Sequence, residues 1–129
     1  MTCFWDAILG KLPRDTITKY LGDADSTTTF IRLLKEYATR TNINDVMWNG
    51  TLIPPRKITE CLAWIRDYDI GAISNGHDTS ICDPFLVLIC HLFMYDIDHD
   101  YRGTTMRYHN MNNRSGIKLY FVSDAGHMW

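Results

Sequence analysis

The stretch PFLVLICHLFMY, residues 84–95, constrains the fold more than any other part of the chain. Asp83 ahead of it is a good helix cap and Pro84 suits the first helical position, so the spacing predicts a helix running to about Met94. A helix that is apolar on every side must be surrounded, which makes it the centre of a core. It is about half the length that a bilayer span needs and it carries His91, so it reads as buried.

Other helices are expected around it. Phe4, Ala7 and Ile8 share a stripe over residues 3–10, with Gly10 as a stop. Asp15 can cap a short helix through Tyr20, and Ser26 can cap a stronger one that carries Phe30, Ile31, Leu33, Leu34 and Tyr37. Residues 40–55 are polar and turn-rich, which predicts an ordered loop or a short extended piece. Pro55 then introduces a helix over 56–67, where Ile58, Leu62 and Ile65 recur at helical period.

The last third of the chain changes period. YDIGAIS, 68–74, reads as a short strand followed by an Asn-Gly turn. YDIDHDYRGTTMRYHN alternates around Arg-Gly-Thr like a hairpin, and GIKLYFVSD, 116–124, sets Ile117, Leu119 and Phe121 against Lys118 and Tyr120. Helices first and strands last predict an α+β class, with N-terminal helices packed on a small C-terminal antiparallel sheet.

At 129 residues and 46% apolar, the chain has material for one core and one domain, residues 1–129. Thirteen basic and fifteen acidic residues are mixed without runs. That excludes the charge pattern of a nucleic-acid partner or a membrane-surface helix. Asp6 interrupts the first apolar stretch and no basic cluster precedes it, unlike a secretion signal, so a cytoplasmic location is expected. The four cysteines are then reduced thiols, and with no C-x-x-C pair a structural zinc is not expected. NGT at 49–51 and NRS at 113–115 match a glycosylation pattern of the kind that arises by chance.

Two residues stand out chemically. Cys3 falls in the first turn of a helix, where unpaired N–H groups and the dipole favour a thiolate. His127 follows a strand end, where a rigid sheet can hold a general base while the ring stays accessible. Cys61 and Cys90 lie within apolar helices and Cys82 just before a cap, which are structural settings. In DIDHD, 96–100, a strand puts Asp96, Asp98 and Asp100 on one side and His99 on the other, a poor arrangement for one metal ion. His77 and His109 fall in turn-like settings. No metal or cofactor is expected.

TCFWDAI resembles the Cys-aromatic-x-x-Ala-Ile box that opens the active-site helix of the ovarian-tumour (OTU) cysteine proteases, and more loosely the cysteine helix of papain-like viral leader proteases. DPFLVLICHLFMYDIDHDY followed by GIKLYFVSDAGHMW is similar to their order of a central helix, a strand, a hairpin and a final strand ending in the catalytic histidine and an aromatic. The resemblance implies a papain-like/OTU-like domain with Cys3 as nucleophile and His127 as its base. It implies thiolate attack on an amide or isopeptide carbonyl and hydrolysis of an acyl-enzyme. Trp5 and Trp129 would wall a substrate cleft. The family's Asp-Gly-Asn ahead of the cysteine has no counterpart, since Met1 and Thr2 stand there, and the position two residues after His127 is Trp129. The oxyanion donors and the third catalytic residue stay open, with Asp124 one candidate.

The expected function is therefore viral polyprotein processing, removal of a ubiquitin-like modifier, or both. The alternative is a non-enzymatic viral or effector interaction module on the same scaffold. A metal-dependent hydrolase using DIDHD ranks third.

Overall fold

The computed structural model describes residues 3–75, 82–124 and 127–129. Among these, the chain forms five α-helices and one five-stranded mixed sheet. The helices are α1 (Cys3–Lys11), α2 (Arg14–Leu21), α3 (Thr27–Ala38), α4 (Pro55–Asp67) and α5 (Pro84–Phe93). The strands are β1 (Val46–Trp48), β2 (Thr51–Leu52), β3 (Asp96–Tyr101), β4 (Thr104–Asn110) and β5 (Lys118–Ser123).

Helix α5 is the expected centre. The Asp83 carboxylate accepts from the N–H groups of Phe85 (3.0 Å) and Leu86 (3.4 Å), and Pro84 opens the first turn. Phe85 through Cys90 are fully buried. The helix packs against α2 and α4 and against β1, β3 and β4. It stops at Met94, whose φ of 55° reverses the chain directly into β3. Ser26 caps α3 by accepting from the Thr29 N–H at 3.1 Å, as its sequence predicts.

Strands β3 and β4 form the expected hairpin, closed by Arg102 and Gly103, both at positive φ, the two-residue geometry that matches strand twist. A second hairpin joins β1 to β2 through Asn49 and Gly50, also both at positive φ. Part of the region expected as an ordered loop or a short extended piece is thus extended and contributes two short strands to the sheet.

The sheet is not purely antiparallel. Its order is β2-β1-β4-β3-β5, with β5 parallel to β3. β1 occupies the free side of β4, so the returning chain passes beyond the hairpin to the far side of β3 and there runs parallel to it. Residues 70–75 form a 3₁₀ helix where a strand is expected. The Asp69 side chain accepts from the Gly71 N–H at 2.9 Å, and that local bond curls the segment.

Alternation gives the sheet two different faces. Ile97, Met106, Tyr108, Leu119 and Phe121 point into the helical layer and are buried. Tyr120 and Val122 point outward, 62% and 50% exposed. None of the described helices is long and apolar enough to cross a membrane.

Candidate active site

Cys3 is the first residue of α1 and is half-buried. The direction of α1 follows from its two ends. Near the first turn, the Phe4 and Trp5 rings lie 6.4 and 4.7 Å from Phe85, at the head of α5. At the other end, Lys11 Nζ donates to the backbone carbonyls of Tyr120 and Trp129 and sits 4.4 Å from the Phe121 ring. Because α5 turns back into β3 and β5 runs parallel to β3, the head of α5 lies at the end of the domain where β5 finishes. The first turn of α1 lies there too, about 12 Å along the helix axis from Lys11.

At that end the chain leaves β5 at Ser123 and reverses between Asp124 and His127. The Asp124 N–H donates to the His127 carbonyl at 3.0 Å, and the Asp124 carboxylate accepts from the His127 N–H at 3.0 Å. The Asp124 carboxylate thus holds the backbone of His127. Met128 then bridges to Ser123, and Trp129 pairs with Val122 through bonds of 2.8 and 3.3 Å. Met128 is buried, whereas His127 and Trp129 are exposed, their rings 4.3 Å apart and edge-on.

The structure therefore brings His127 to Trp129 and sets the first turn of α1 against the head of α5, while the end of α1 that touches Trp129 is Lys11. Among the described residues no hydrogen bond joins the Cys3 sulfur to the His127 ring. Trp5 is not a cleft wall. It is 1% exposed, lies edge-on to Phe4, Phe30, Tyr68 and Phe85, and donates from Nε1 to the Tyr68 hydroxyl at 3.4 Å. Its place on the core stripe of α1 decides this.

The other thiols are free and poorly ionisable. Burial pushes Cys61 up, pushes Cys82 up to about 12, and raises Cys90 further. A reagent that needs a thiolate finds little of it at these three positions.

The DIDHD strand behaves as its alternation requires. His99 points inward with no exposure, and Asp96, Asp98 and Asp100 point outward. No three metal-ligating side chains gather among the described residues. His77 lies outside them.

Two polar constellations were not anticipated. His109, on β4 rather than in a turn, faces Asp96 with Nδ1 at 3.0 Å from both carboxylate oxygens. Burial would raise the Asp96 carboxyl, but hydrogen bonds from His109, the Asn110 N–H and Asn113 outweigh it and hold the group below its usual range. Hairpin register alone could have found this pair, because counting back from Arg102-Gly103 sets residue 96 opposite 109. The second joins distant segments. His91 Nδ1 lies 2.7 Å from Asp45 and Nε2 lies 2.9 Å from the Thr41 hydroxyl. Asn110 and Asn112 donate to the other Asp45 oxygen at 3.3 and 3.4 Å. This network ties the segment after α3 to α5 and β4, and nothing in its sequence spacing announces it.

Comparison with protein-family models, with curated proteins and with solved structures finds no match to this chain.

Proposed function

We propose that this chain is a papain-superfamily cysteine protease in which Cys3 is the nucleophile and His127 its base, acting on a viral polyprotein, on a ubiquitin-like modifier, or on both. One observation supports the reading above the others: Cys3 is a free, half-buried thiol at the first position of α1, where unpaired N–H groups and the dipole favour a thiolate. Burial raises the thiols of Cys61, Cys82 and Cys90, although Cys82 is half-buried like Cys3, so the reading assigns the thiol chemistry to Cys3.

In the reaction, the Cys3 thiolate attacks the carbonyl carbon, the C–N bond breaks, and the amine leaves with a proton from the His127 imidazolium. Water then attacks the acyl-thioester, giving its proton back to His127 and freeing the acid. Proton transfer requires the His127 ring to leave Trp129 and reach the sulfur, and an exposed ring is not locked by packing. Trp129, 54% exposed beside it, remains available as a wall for substrate.

The second reading, an interaction module, is favoured by Tyr120, Val122 and Trp129, which stand side by side and exposed on the outer face of the sheet. A ubiquitin-like probe with a thiol-reactive C-terminal group separates the two. Labelling at Cys3 alone, lost in Cys3→Ala and cut at least a hundredfold in His127→Ala, is the expected result. A wild-type chain that stays unlabelled and uncleaving while it binds a partner protein establishes the interaction module instead.

A further inference from the structure

The outer face of the sheet carries a groove between β4 and the β1–β2 turn, lined by Met47, Asn49, Gly50, Thr105, Arg107 and His109. Its position follows from the register. Thr105, Arg107 and His109 alternate outward along β4, each step about 7 Å. Met47 stands opposite His109. Asn49 clamps the backbone of Arg107: its N–H donates to the Arg107 carbonyl and its side-chain oxygen accepts from the Arg107 N–H, each at 2.8 Å. None of the six lining residues is acidic.

Arg107 is exposed, and among the described residues its guanidinium has no ion pair or hydrogen bond. The acid that faces it across the ladder is Asp98, but the Asp98 carboxylate lies 3.5 Å from Lys118 Nζ instead. The other two carboxylates of β3 have donors of their own. Asp100 accepts from the Gly103 N–H at 2.8 Å, and Asp96 accepts from the Asn110 N–H at 2.9 Å and from His109. The guanidinium is thus a cation of the groove without a counter-ion.

His109 supplies a second group. Its Nδ1 is spent on the two Asp96 oxygens, each at 3.0 Å, on the β3 side of the strand. Nε2 is left as the nitrogen available to the groove, and the side chain is 54% exposed. We propose that this groove binds a phosphate monoester, with the Arg107 fork taking two of its oxygens and His109, protonated at Nε2, donating to the third. The planar guanidinium matches two oxygens of a phosphate. A phosphate monoester offers three terminal oxygens, whereas a carboxylate has two, both engaged by the fork. The site shares no residue with Cys3 and His127 and does not depend on the reaction proposed for them.

A titration of the whole ¹⁵N-labelled chain with O-phosphoserine tests this, at pH 6.5, where imidazoles are partly protonated. The Arg107 Nε–H and the His109 backbone N–H are the reporters. Both signals should shift and saturate, and glutamate, which offers only carboxylates, should bind about tenfold more weakly, the worth of one charge-assisted hydrogen bond. Arg107→Gln should abolish saturation at His109, and His109→Ala should erase the preference for O-phosphoserine over glutamate. Arg102→Gln removes the same charge from the adjoining β3–β4 turn and should bind as wild type does. The amide spectrum away from β4 reports that each variant is folded. A peptide carrying phosphoserine identifies the source: binding about tenfold tighter than O-phosphoserine marks a phosphorylated protein, and equal binding a small phosphorylated metabolite. The proposal is overturned if the wild-type signals do not saturate, if glutamate matches O-phosphoserine, if His109→Ala keeps the preference, or if Arg102→Gln weakens binding as much as Arg107→Gln.

Discussion

Trp5→Ala is expected to lower unfolding stability by about 3–5 kcal/mol, the range for truncating a buried tryptophan. Its indole fills the space between Phe4, Phe30, Tyr68 and Phe85, so alanine leaves a cavity lined by four rings that cannot close over it. The loss also removes the donor to the Tyr68 hydroxyl. Urea denaturation followed by far-UV circular dichroism measures the difference. A loss below about 1 kcal/mol would mean that α1 is not held through Trp5.

Asp45→Ala is expected to cost about 3 kcal/mol, because it leaves the largely buried His91 ring without its carboxylate partner. The His91 and Asp45 side chains are each only 13% exposed. Without the carboxylate, His91 Nδ1 loses its partner and the Asn110 amide loses one of its three acceptors. Asn110 is fully buried and also holds the Cys90 carbonyl at 2.9 Å, so the effect reaches the end of α5. His91→Leu in the Asp45→Ala background should cost less than in wild type, since the ring's main partner is already gone. A double-mutant cycle gives the coupling directly, and strict additivity would show that the two side chains do not interact.

What could be read from the sequence depended on how local its cause was. The Ser26 and Asp83 caps act within one turn, and both helices start where these residues place them. The β3–β4 hairpin was legible for the same reason, since Arg102-Gly103 carries its own turn chemistry. β1 and β2 were not, because three and two residues are too few for alternation to register, although Asn49-Gly50 was a usable turn signal. The parallel pairing of β5 depends on β1 having taken the side of β4, a relation no window of sequence contains. At the candidate site, residue type and order along the chain singled out Cys3 and His127. The facing of the His127 ring toward Trp129 comes instead from the pairing of the tail, residues 127–129, with β5, and the burial of Trp5 from the rings of α3 and α5.

The tail has a consequence beyond the placing of His127. A sheet with open edges offers backbone groups to any other strand, including one from a second copy of the same chain. At one edge, β2 ends two residues before Pro54 and Pro55, which have no N–H to extend a ladder. At the other, the outward groups of Val122 are taken by Trp129 and the Tyr120 carbonyl by Lys11. Residues 127–129 and Lys11 thus occupy the outward backbone groups of Tyr120 and Val122, which without them would be open to pairing with a strand of another chain.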